Sequence, residues 1–131
     1  YGLQFNETTL GVISPFRAQC AEIYRRIDKD LRKLVMVDTV ERFQGAERDI
    51  IIISFAINST FQLKTIQSYC RIDNLIIDRK LNVALTRAKN YLIILGNSQI
   101  LSKSQIHSNL IQFILEKDSY VNLNHEMQLF T

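Results

Sequence analysis

Three polar segments of the chain combine residue types that bind phosphates and nucleotides. They cover residues 11–19, 37–49 and 78–89, and each comes at the end of a short apolar run typical of a strand. Ligands of open α/β sheets collect at the carboxyl ends of the strands. We therefore expect the three segments to form one common surface.

The first segment contains a helix start that suits an anion. Ser14-Pro15 predicts the N-cap and the first residue of a helix, and the free N–H groups at such an end favour a phosphate. Gln19 lies one turn into this helix, where its side chain can reach a backbone oxygen. The alternative interpretation is a capped helix with a solvated glutamine.

The second segment is a compact polar turn between two strands. Gly45 permits a tight turn or the close approach of a ligand to the backbone. Gln44 and Glu47 can hydrogen-bond a ribose or organise the turn, and Thr39 can hold a phosphate. The alternative is a polar loop with internal hydrogen bonds only, and the aromatic Phe43 inside it argues against that.

The third segment, residues 78–89, has helical periodicity. One face of the wheel is apolar, and its members are Leu81, Ala84, Leu85 and Ala88. The opposite face is polar and consists of Arg79, Asn82, Thr86 and Asn90. Arg87 lies at the boundary, where a long cation reaches sideways, and its planar, permanently charged guanidinium matches phosphate oxygens. The alternative is an ordinary surface arginine.

The elements around these segments indicate one α/β domain. Strands are predicted at residues 10–14, 35–38, 49–56 and 91–95, and helices at 14–33, at 78–89 and around 106–114, with a loop at 58–73. Continuous apolar strands that alternate with helices predict a three-layer fold with a mostly parallel sheet. The connection from Glu41 to Arg48 is too short for an ordinary parallel crossover, so we expect a compact turn there.

Composition limits the alternatives. The 131 residues suit a single domain, and the net charge of +3 favours an anionic partner. Cys20 and Cys70 are isolated, so we expect no metal site, and His107 and His125 are interpreted as ordinary surface or packing residues.

Apolar runs in the sequence are too short for a membrane span. We expect a cytoplasmic protein without membrane association and, because the chain begins at Tyr1, a fragment of a longer one.

Taken in order, the three segments resemble motifs IV, V and VI of superfamily 1 helicases. VDTVERFQGAERDIIIIS, residues 37–54, is similar to motif V of the subgroup that contains the nonsense-mediated-decay helicase and its DNA replication and repair relatives. RKLNVALTRAK, residues 79–89, followed by Gly96-Asn97, is similar to motif VI. The resemblance runs from about Gly11 to Asn97. It implies that residues 1–131 are the second RecA-like (P-loop NTPase-like) domain of a helicase motor.

The resemblance also implies where ATP is contacted. Arg87 would be the catalytic arginine finger that reaches ATP bound on the first motor domain. Gln44, Gly45 and Glu47 would belong to the ATP site, with Glu47 at the ribose. The sequence lacks a GxxxxGK[ST] phosphate loop and an acidic pair for Mg²⁺. ATP and Mg²⁺ would therefore be held mainly by the first motor domain, and the isolated chain would show no ATPase activity.

Nucleic acid is the second partner that the resemblance implies. Ser14, Gln19 and Thr39 would contact the backbone of single-stranded DNA or RNA, while Arg79 and Asn82 would stabilise the helix and the cleft between domains. Backbone contacts give binding that is largely independent of sequence. Two rival functions stay open: a non-catalytic RecA-like module that binds nucleic acid or a partner, and a nucleotide-binding regulator that binds ATP by itself.

Overall fold

The computed structural model describes residues 4–123, which form two sheets and five helices. Six strands lie in this part of the chain: β1 (Leu10–Ile13), β2 (Met36–Asp38), β3 (Arg48–Ser54), β4 (Tyr69–Ile72), β5 (Leu75–Asp78) and β6 (Ala88–Leu95). The helices are α1 (Arg17–Arg26), α2 (Thr60–Ile66), α3 (Arg79–Leu85), α4 (Ser98–Leu101) and α5 (Gln105–Glu116). The predicted α/β class is confirmed.

The main sheet has the order β2-β1-β3-β6, and every pairing in it is parallel. Four consecutive isoleucines, residues 50–53, form the centre of β3, as β-branched residues fit a pleated, buried strand. This arrangement is that of a RecA-like domain. β4 and β5 form a separate antiparallel hairpin.

The two faces of the sheet are covered by different segments. The chain moves across the sheet in one direction from β1 to β2 and in the opposite direction from β2 to β3 and on to β6. Because crossovers between parallel strands are right-handed, α1 lies on one face of the sheet, and the 39–47 turn and α3 lie on the other. Ile13, Ile51 and Ile53 point towards the turn and α3 and are almost fully buried. The core therefore lies between the sheet and α3.

Strand β6 has exposed apolar side chains on one of its faces. Its residues Tyr91, Ile93 and Leu95 are paired in register with Ile50, Ile52 and Ser54, so they share the face that carries α1. They are 69%, 46% and 44% exposed. Helix α1 packs against β2, which is at the opposite end of the strand order from β6. Within residues 4–123, β6 is thus open on the face that carries α1.

The predicted helix 14–33 begins later and ends earlier than expected. Ser14 N–H donates to the Asp38 carbonyl (3.3 Å), which keeps Ser14 in the sheet, and Phe16 becomes the N-cap residue without a side-chain bond. At the other end, the guanidinium of Arg32 folds back and donates to the carbonyls of Tyr24 (2.9 Å) and Ile27 (3.1 Å). These bonds satisfy two carbonyls at the end of α1, whose last residue is Arg26.

Two further boundaries were predicted wrongly. The segment 58–73, expected to be a loop, contains α2 and β4, and the chain turns at Asp73-Asn74 into β5. Helix α3 stops at Leu85, and Ala88 and Lys89 already belong to β6. Within residues 4–123, no helix is both long and apolar enough to cross a membrane. His125 lies outside the described residues.

Candidate nucleotide and nucleic-acid sites

The three segments form a common surface only in part: Pro15, Phe16, Val40, Glu41, Asp78 and Lys80 line one cavity, but other candidate residues lie apart from it. Parallel register places Ile13, Asp38 and Ser54 at the carboxyl ends of β1, β2 and β3, so Ser14 and Thr39 follow at the carboxyl edge of the sheet. Arg48 pairs with Ala88 at the opposite edge, where β3 and β6 begin. Glu47 and Arg87, which precede those residues, therefore lie at the amino edge. The expectation of a single surface therefore holds for the starts of the three segments but not for Glu47 and Arg87, because the 39–47 turn and α3 both run from one edge to the other.

At the carboxyl edge, the side chain of Ser14 is hydrogen-bonded to the backbone. Its side chain is 0% exposed, and its hydroxyl accepts a hydrogen bond from Phe16 N–H (3.4 Å). In this conformation its hydroxyl is not accessible to a ligand. The Sγ of buried Cys20 contacts the Ser14 carbonyl (3.8 Å), and burial raises the pKa of this thiol. Ser14 thus shapes the strand–helix connection.

The N-terminus of α1 is open beside it. No side chain caps this end, and its first turn holds no acidic residue. Gln19 lies in that first turn and is half-buried. The amides of an uncapped helix end point outward with a partial positive charge. This end of the helix has the chemistry to receive an anion, with Gln19 beside it.

Thr39 begins the turn that crosses the sheet. Its side chain is buried, its N–H donates to Asp38 Oδ1 (2.9 Å), and its carbonyl accepts from the amides of Arg42 and Phe43 (3.2 Å each). Phe43 is 0% exposed and packs over Gly11. The compact turn predicted from the sequence is confirmed, and Phe43 is its apolar anchor on β1.

Gln44, Gly45 and Glu47 follow Phe43 and lead into β3. All three are exposed. Gly45 has a φ of +79°, and a Cβ atom there would meet nothing within 4 Å. Of the two expected reasons for this glycine, the structure supports the tight turn, because the left-handed conformation disfavours other residues. Gln44 lines a shallow cleft between the turn and α3.

Arg87 follows α3 directly and is half-buried. Its Nε donates to the Val83 carbonyl (3.2 Å), and its Nη2 donates to Thr86 Oγ1 (3.1 Å). None of the ion pairs within residues 4–123 involves Arg87. Its carbonyl accepts from Arg48 N–H (3.0 Å), so the backbones at Glu47 and Arg87 lie side by side. The guanidinium is held at its helix and has no carboxylate partner among the residues that the structure describes.

Arg79 and Asn82 lie on exposed positions of α3. Arg79 N–H donates to the Ser68 carbonyl (2.9 Å), and the carbonyl of Asn82 accepts from Thr86 N–H (3.3 Å). Arg79 also lines the cleft that contains Gln44. These are backbone bonds that other residues would also make, so the expected role of the two side chains stays a prediction.

Three groups near the site were not singled out from the sequence. Buried Asp78 caps α3 by accepting from Leu81 N–H (3.0 Å). Lys80 Nζ and Glu41 Oε1 form an ion pair of 2.8 Å between α3 and the turn. An Asp immediately before a helical run is a cap signal, but no sequence pattern reports the ion pair, because its partners are 39 positions apart.

His107 is a buried packing residue. Its Nδ1 lies 2.8 Å from Ser104 Oγ, which in turn lies 2.6 Å from the hydroxyl of Tyr69. Its ring packs edge-on against Phe55, with ring centres 5.5 Å apart. Burial lowers the pKa of His107, and the negative charge of Asp78 opposes this shift. No group of three or more His, Cys, Asp or Glu side chains within residues 4–123 is arranged to hold a metal ion.

Known proteins that resemble the chain are helicases. The family model described as "AAA domain" matches residues 3–99. The chain is 34% identical over 122 residues to "Putative helicase mov-10-B.2" of Danio rerio, covering 88% of this chain and 12% of that protein. It is 37% identical over 118 residues to "Regulator of nonsense transcripts 1" of Dictyostelium discoideum, covering 86% of this chain and 8% of the relative.

A third relative is "DNA replication ATP-dependent helicase/nuclease dna2" of Schizosaccharomyces pombe, 32% identical over 128 residues, or 95% of this chain and 8% of that protein. The chain therefore belongs to the AAA domain family and, within it, to the superfamily 1 helicases. It spans 8% to 12% of the length of these relatives.

Proposed function

We propose that the chain is the second RecA-like motor domain of an ATP-dependent superfamily 1 helicase and that Arg87 is its arginine finger. The observation that carries this proposal is the hydrogen bond from Arg48 N–H to the Arg87 carbonyl. It brings motif V and motif VI together at one edge, with Glu47 and Arg87 as neighbours. An arginine finger and a ribose-binding residue that contact the same nucleotide must lie close together.

The residues at the amino edge suit ATP held by a facing domain. Arg87 has no carboxylate to neutralise it within residues 4–123, so its charge is available to a phosphate. Glu47 is exposed beside it, and Gln44 is exposed earlier in the same turn; they offer a carboxylate and an amide to a sugar hydroxyl. Gly45 gives the turn its left-handed bend. ATP and Mg²⁺ would supply the phosphoryl group and its neutralising charge.

Arg87 would act by electrostatics. Charge on the γ-phosphoryl oxygens is greatest in the transition state, and a fixed guanidinium stabilises that state more than the ground state. The present bonds of Arg87 to Val83 and Thr86 hold the side chain close to α3. We expect the guanidinium to exchange the Thr86 bond for a phosphate oxygen when the motor domains close.

The carboxyl edge would hold single-stranded DNA or RNA. The uncapped start of α1 and the side chain of Gln19 offer hydrogen-bond donors to a phosphate. Thr39 lies at the same edge and would contribute through the start of the turn. Ser14 would support this surface by holding the connection between β1 and α1, since its own hydroxyl is buried. ATP-driven closure of the cleft would then move these contacts along the strand.

The test is Arg87→Ala in the full-length protein, with ATPase activity measured with and without single-stranded nucleic acid. We expect the turnover number to fall by about 10³-fold, while affinity for nucleic acid changes little. Arg71→Ala, at an exposed arginine of the β4–β5 hairpin, is the matched control and should retain activity. Full ATPase activity in Arg87→Ala would overturn the role of Arg87 as arginine finger, whereas no ATPase activity in the wild type would favour a non-catalytic module.

A further inference from the structure

Arg48, the first residue of β3, carries an unusual buried atom. Among residues 4–123, its Nε is the only buried side-chain nitrogen or oxygen that has no hydrogen-bond partner. Leaving such a donor unpaired costs free energy, and an apolar side chain of similar length would fill the same space without this cost. Packing alone therefore does not account for an arginine at this position.

The other atoms of the guanidinium connect the backbone of Glu47 to the core. Nη1 of Arg48 donates a hydrogen bond of 2.7 Å to the carbonyl of Glu47. Nη2 contacts Met36 Sδ at 3.6 Å, at the start of β2, and the group lies over the ring of Phe43, 5.9 Å from the ring centre. A planar guanidinium can stack on a ring and donate hydrogen bonds at the same time. Because Phe43 is fully buried, Arg48 ties Glu47 to a fixed part of the molecule.

Glu47 lies in the exposed part of the 39–47 turn, where a tether of this kind matters. Gln44, Gly45 and Glu47 are all exposed. None of the ion pairs formed within residues 4–123 includes Glu47 or Arg48. Arg48 therefore binds the carbonyl of Glu47 and not its carboxylate. This contact fixes the backbone of Glu47 and leaves its carboxylate available to a ligand.

A shift in strand register coincides with Arg48. Arg48 pairs with Ala88 and Ile50 pairs with Tyr91, so two steps along β3 correspond to three steps along β6. Irregularities of this kind re-aim side chains and are common next to active sites. Ile50 lies on the face that carries α1, whereas the guanidinium of Arg48 lies at Phe43, on the other face. Arg48 is thus directed towards the turn that contains Glu47.

We propose that Arg48 is a positioning residue that holds the carboxylate of Glu47 in place for the ribose of ATP. This inference rests on the proposed function, since it assumes that Glu47 contacts the sugar. A ribose contact is present in the bound substrate and in the transition state, so its loss raises KM and leaves kcat nearly unchanged. The bond from Arg48 to the Arg87 carbonyl uses the backbone amide, which a substitution of the side chain retains.

The experiment measures kcat and KM of the full-length protein with ATP, 2′-deoxy-ATP and 3′-deoxy-ATP, in the presence of single-stranded nucleic acid. The wild type should have a higher KM for the analogue that lacks the hydroxyl bound by Glu47. Arg48→Met, which keeps an apolar side chain over Phe43, should raise the KM for ATP about five- to ten-fold. It should retain kcat and lose the preference for ATP over that analogue. Arg48→Lys, with a single charged donor, should lie between the two.

Arg71→Met is the matched control, because it makes the same substitution at an exposed arginine of the β4–β5 hairpin. It should behave as wild type. Arg48→Met removes an unpaired buried donor together with its hydrogen bonds, so we expect the melting temperature to change little. A purely structural role of Arg48 would instead lower kcat/KM by the same factor with all three nucleotides, and that result would overturn the inference.

Glu47→Ala and the double variant Glu47→Ala/Arg48→Met separate this inference from the proposed function. We expect Glu47→Ala to change KM as Arg48→Met does and the double variant to lose no more, because the two residues act as a unit. A further loss in the double variant would overturn the positioning role and leave the proposed function standing. So would a retained preference for ATP in Arg48→Met alone. Wild-type KM and preference in Glu47→Ala, or equal KM values of the wild type for all three nucleotides, would overturn the ribose contact and the positioning role with it.

Discussion

The ring of Phe43 lies directly over Gly11, so closely that a Cβ atom on Gly11 would come within 2.7 Å of Phe43 Cζ. A glycine in the middle of a strand usually weakens it, unless another part of the chain needs the space. Here the turn that carries Thr39 and Gln44 needs it, since it must cross β1 to join β2 to β3. The contact between Phe43 and Gly11 therefore determines how closely the 39–47 turn packs against the sheet.

Gly11→Ala should destabilise the protein by crowding Phe43. Inserting a methyl group into a packed core typically costs about 1–3 kcal/mol, and the nearest atoms also include Ile51 Cδ1 at 3.0 Å. We expect a loss of free energy of unfolding in that range by urea denaturation. Adding Phe43→Leu should relieve part of the loss, because the shorter side chain vacates the position of Cζ.

Gly45→Ala is the matched control, because the loss of stability expected there comes from backbone conformation and not from crowding of a neighbouring side chain. Its φ of +79° strains any L-residue, but there is no atom within 4 Å to crowd a methyl group. We expect a loss of roughly 1–2 kcal/mol that Phe43→Leu does not relieve. Strictly additive effects of Gly11→Ala and Phe43→Leu would contradict steric crowding at Gly11.

Removal of the Asp78 cap should loosen α3. Asp78 accepts hydrogen bonds from Leu81 N–H (3.0 Å) and Ser68 N–H (3.3 Å), and its side chain is buried. Asp78→Ala should lower the free energy of unfolding by roughly 2 kcal/mol, whereas Asp78→Asn, which keeps one acceptor oxygen, should lose less. Thermal and urea denaturation measure the difference.

Ser59→Ala gives the comparison for a more accessible cap. Ser59 Oγ accepts from Gln62 N–H (3.2 Å) at the start of α2. Its removal should cost about 1 kcal/mol. If Asp78→Ala cost no more than Ser59→Ala, the second bond of Asp78 and its burial would have no energetic effect.

His107 should make stability depend on pH on the acid side of neutrality. Burial lowers the pKa of folded His107, while in the unfolded chain it titrates near its ordinary value of about 6.5. The unfolded state therefore binds more protons as the pH falls below that value. The free energy of unfolding is fully retained above about pH 6.5 and decreases as the pH falls towards the folded pKa.

His107→Gln isolates this contribution, because all other titrating groups are shared with the wild type. We expect the slope of the unfolding free energy against pH between about pH 5 and 7 to be smaller in the variant than in the wild type. The neighbouring Tyr69 and Asp78 remain in both proteins. Identical slopes would mean that burial does not disfavour protonation of His107.

Local sequence patterns were sufficient for the strands of the main sheet. Residues 50–53 are four β-branched isoleucines, which a parallel strand accommodates and a loop does not. The end of α1 was missed because Ile27, Leu31 and Leu34 continue the helical spacing beyond Arg26. The side chain of Arg32 binds carbonyls at the end of α1, a contact that periodicity does not report.

The 58–73 segment shows a different limit of prediction from the sequence. Ser59 is a good N-cap residue, and Asp73-Asn74 is a turn pair, with Asp73 at a φ of 55°. Both signals are present in the sequence, but the polar residues around them suggested a loop. Motif matching found the candidate residues, yet it could not assign them to opposite edges, since that depends on the direction in which the 39–47 turn and α3 cross the sheet.

The open face of β6 has a practical consequence for preparing the protein. Among residues 4–123, β6 is the last strand of the main sheet, with Tyr91, Ile93 and Leu95 exposed beside its unpaired edge. Exposed apolar edge strands pair readily with other chains. These 131 residues, expressed by themselves, are expected to aggregate at high concentration. A charged residue on the open face, as in Tyr91→Lys, would be the first substitution to improve solubility.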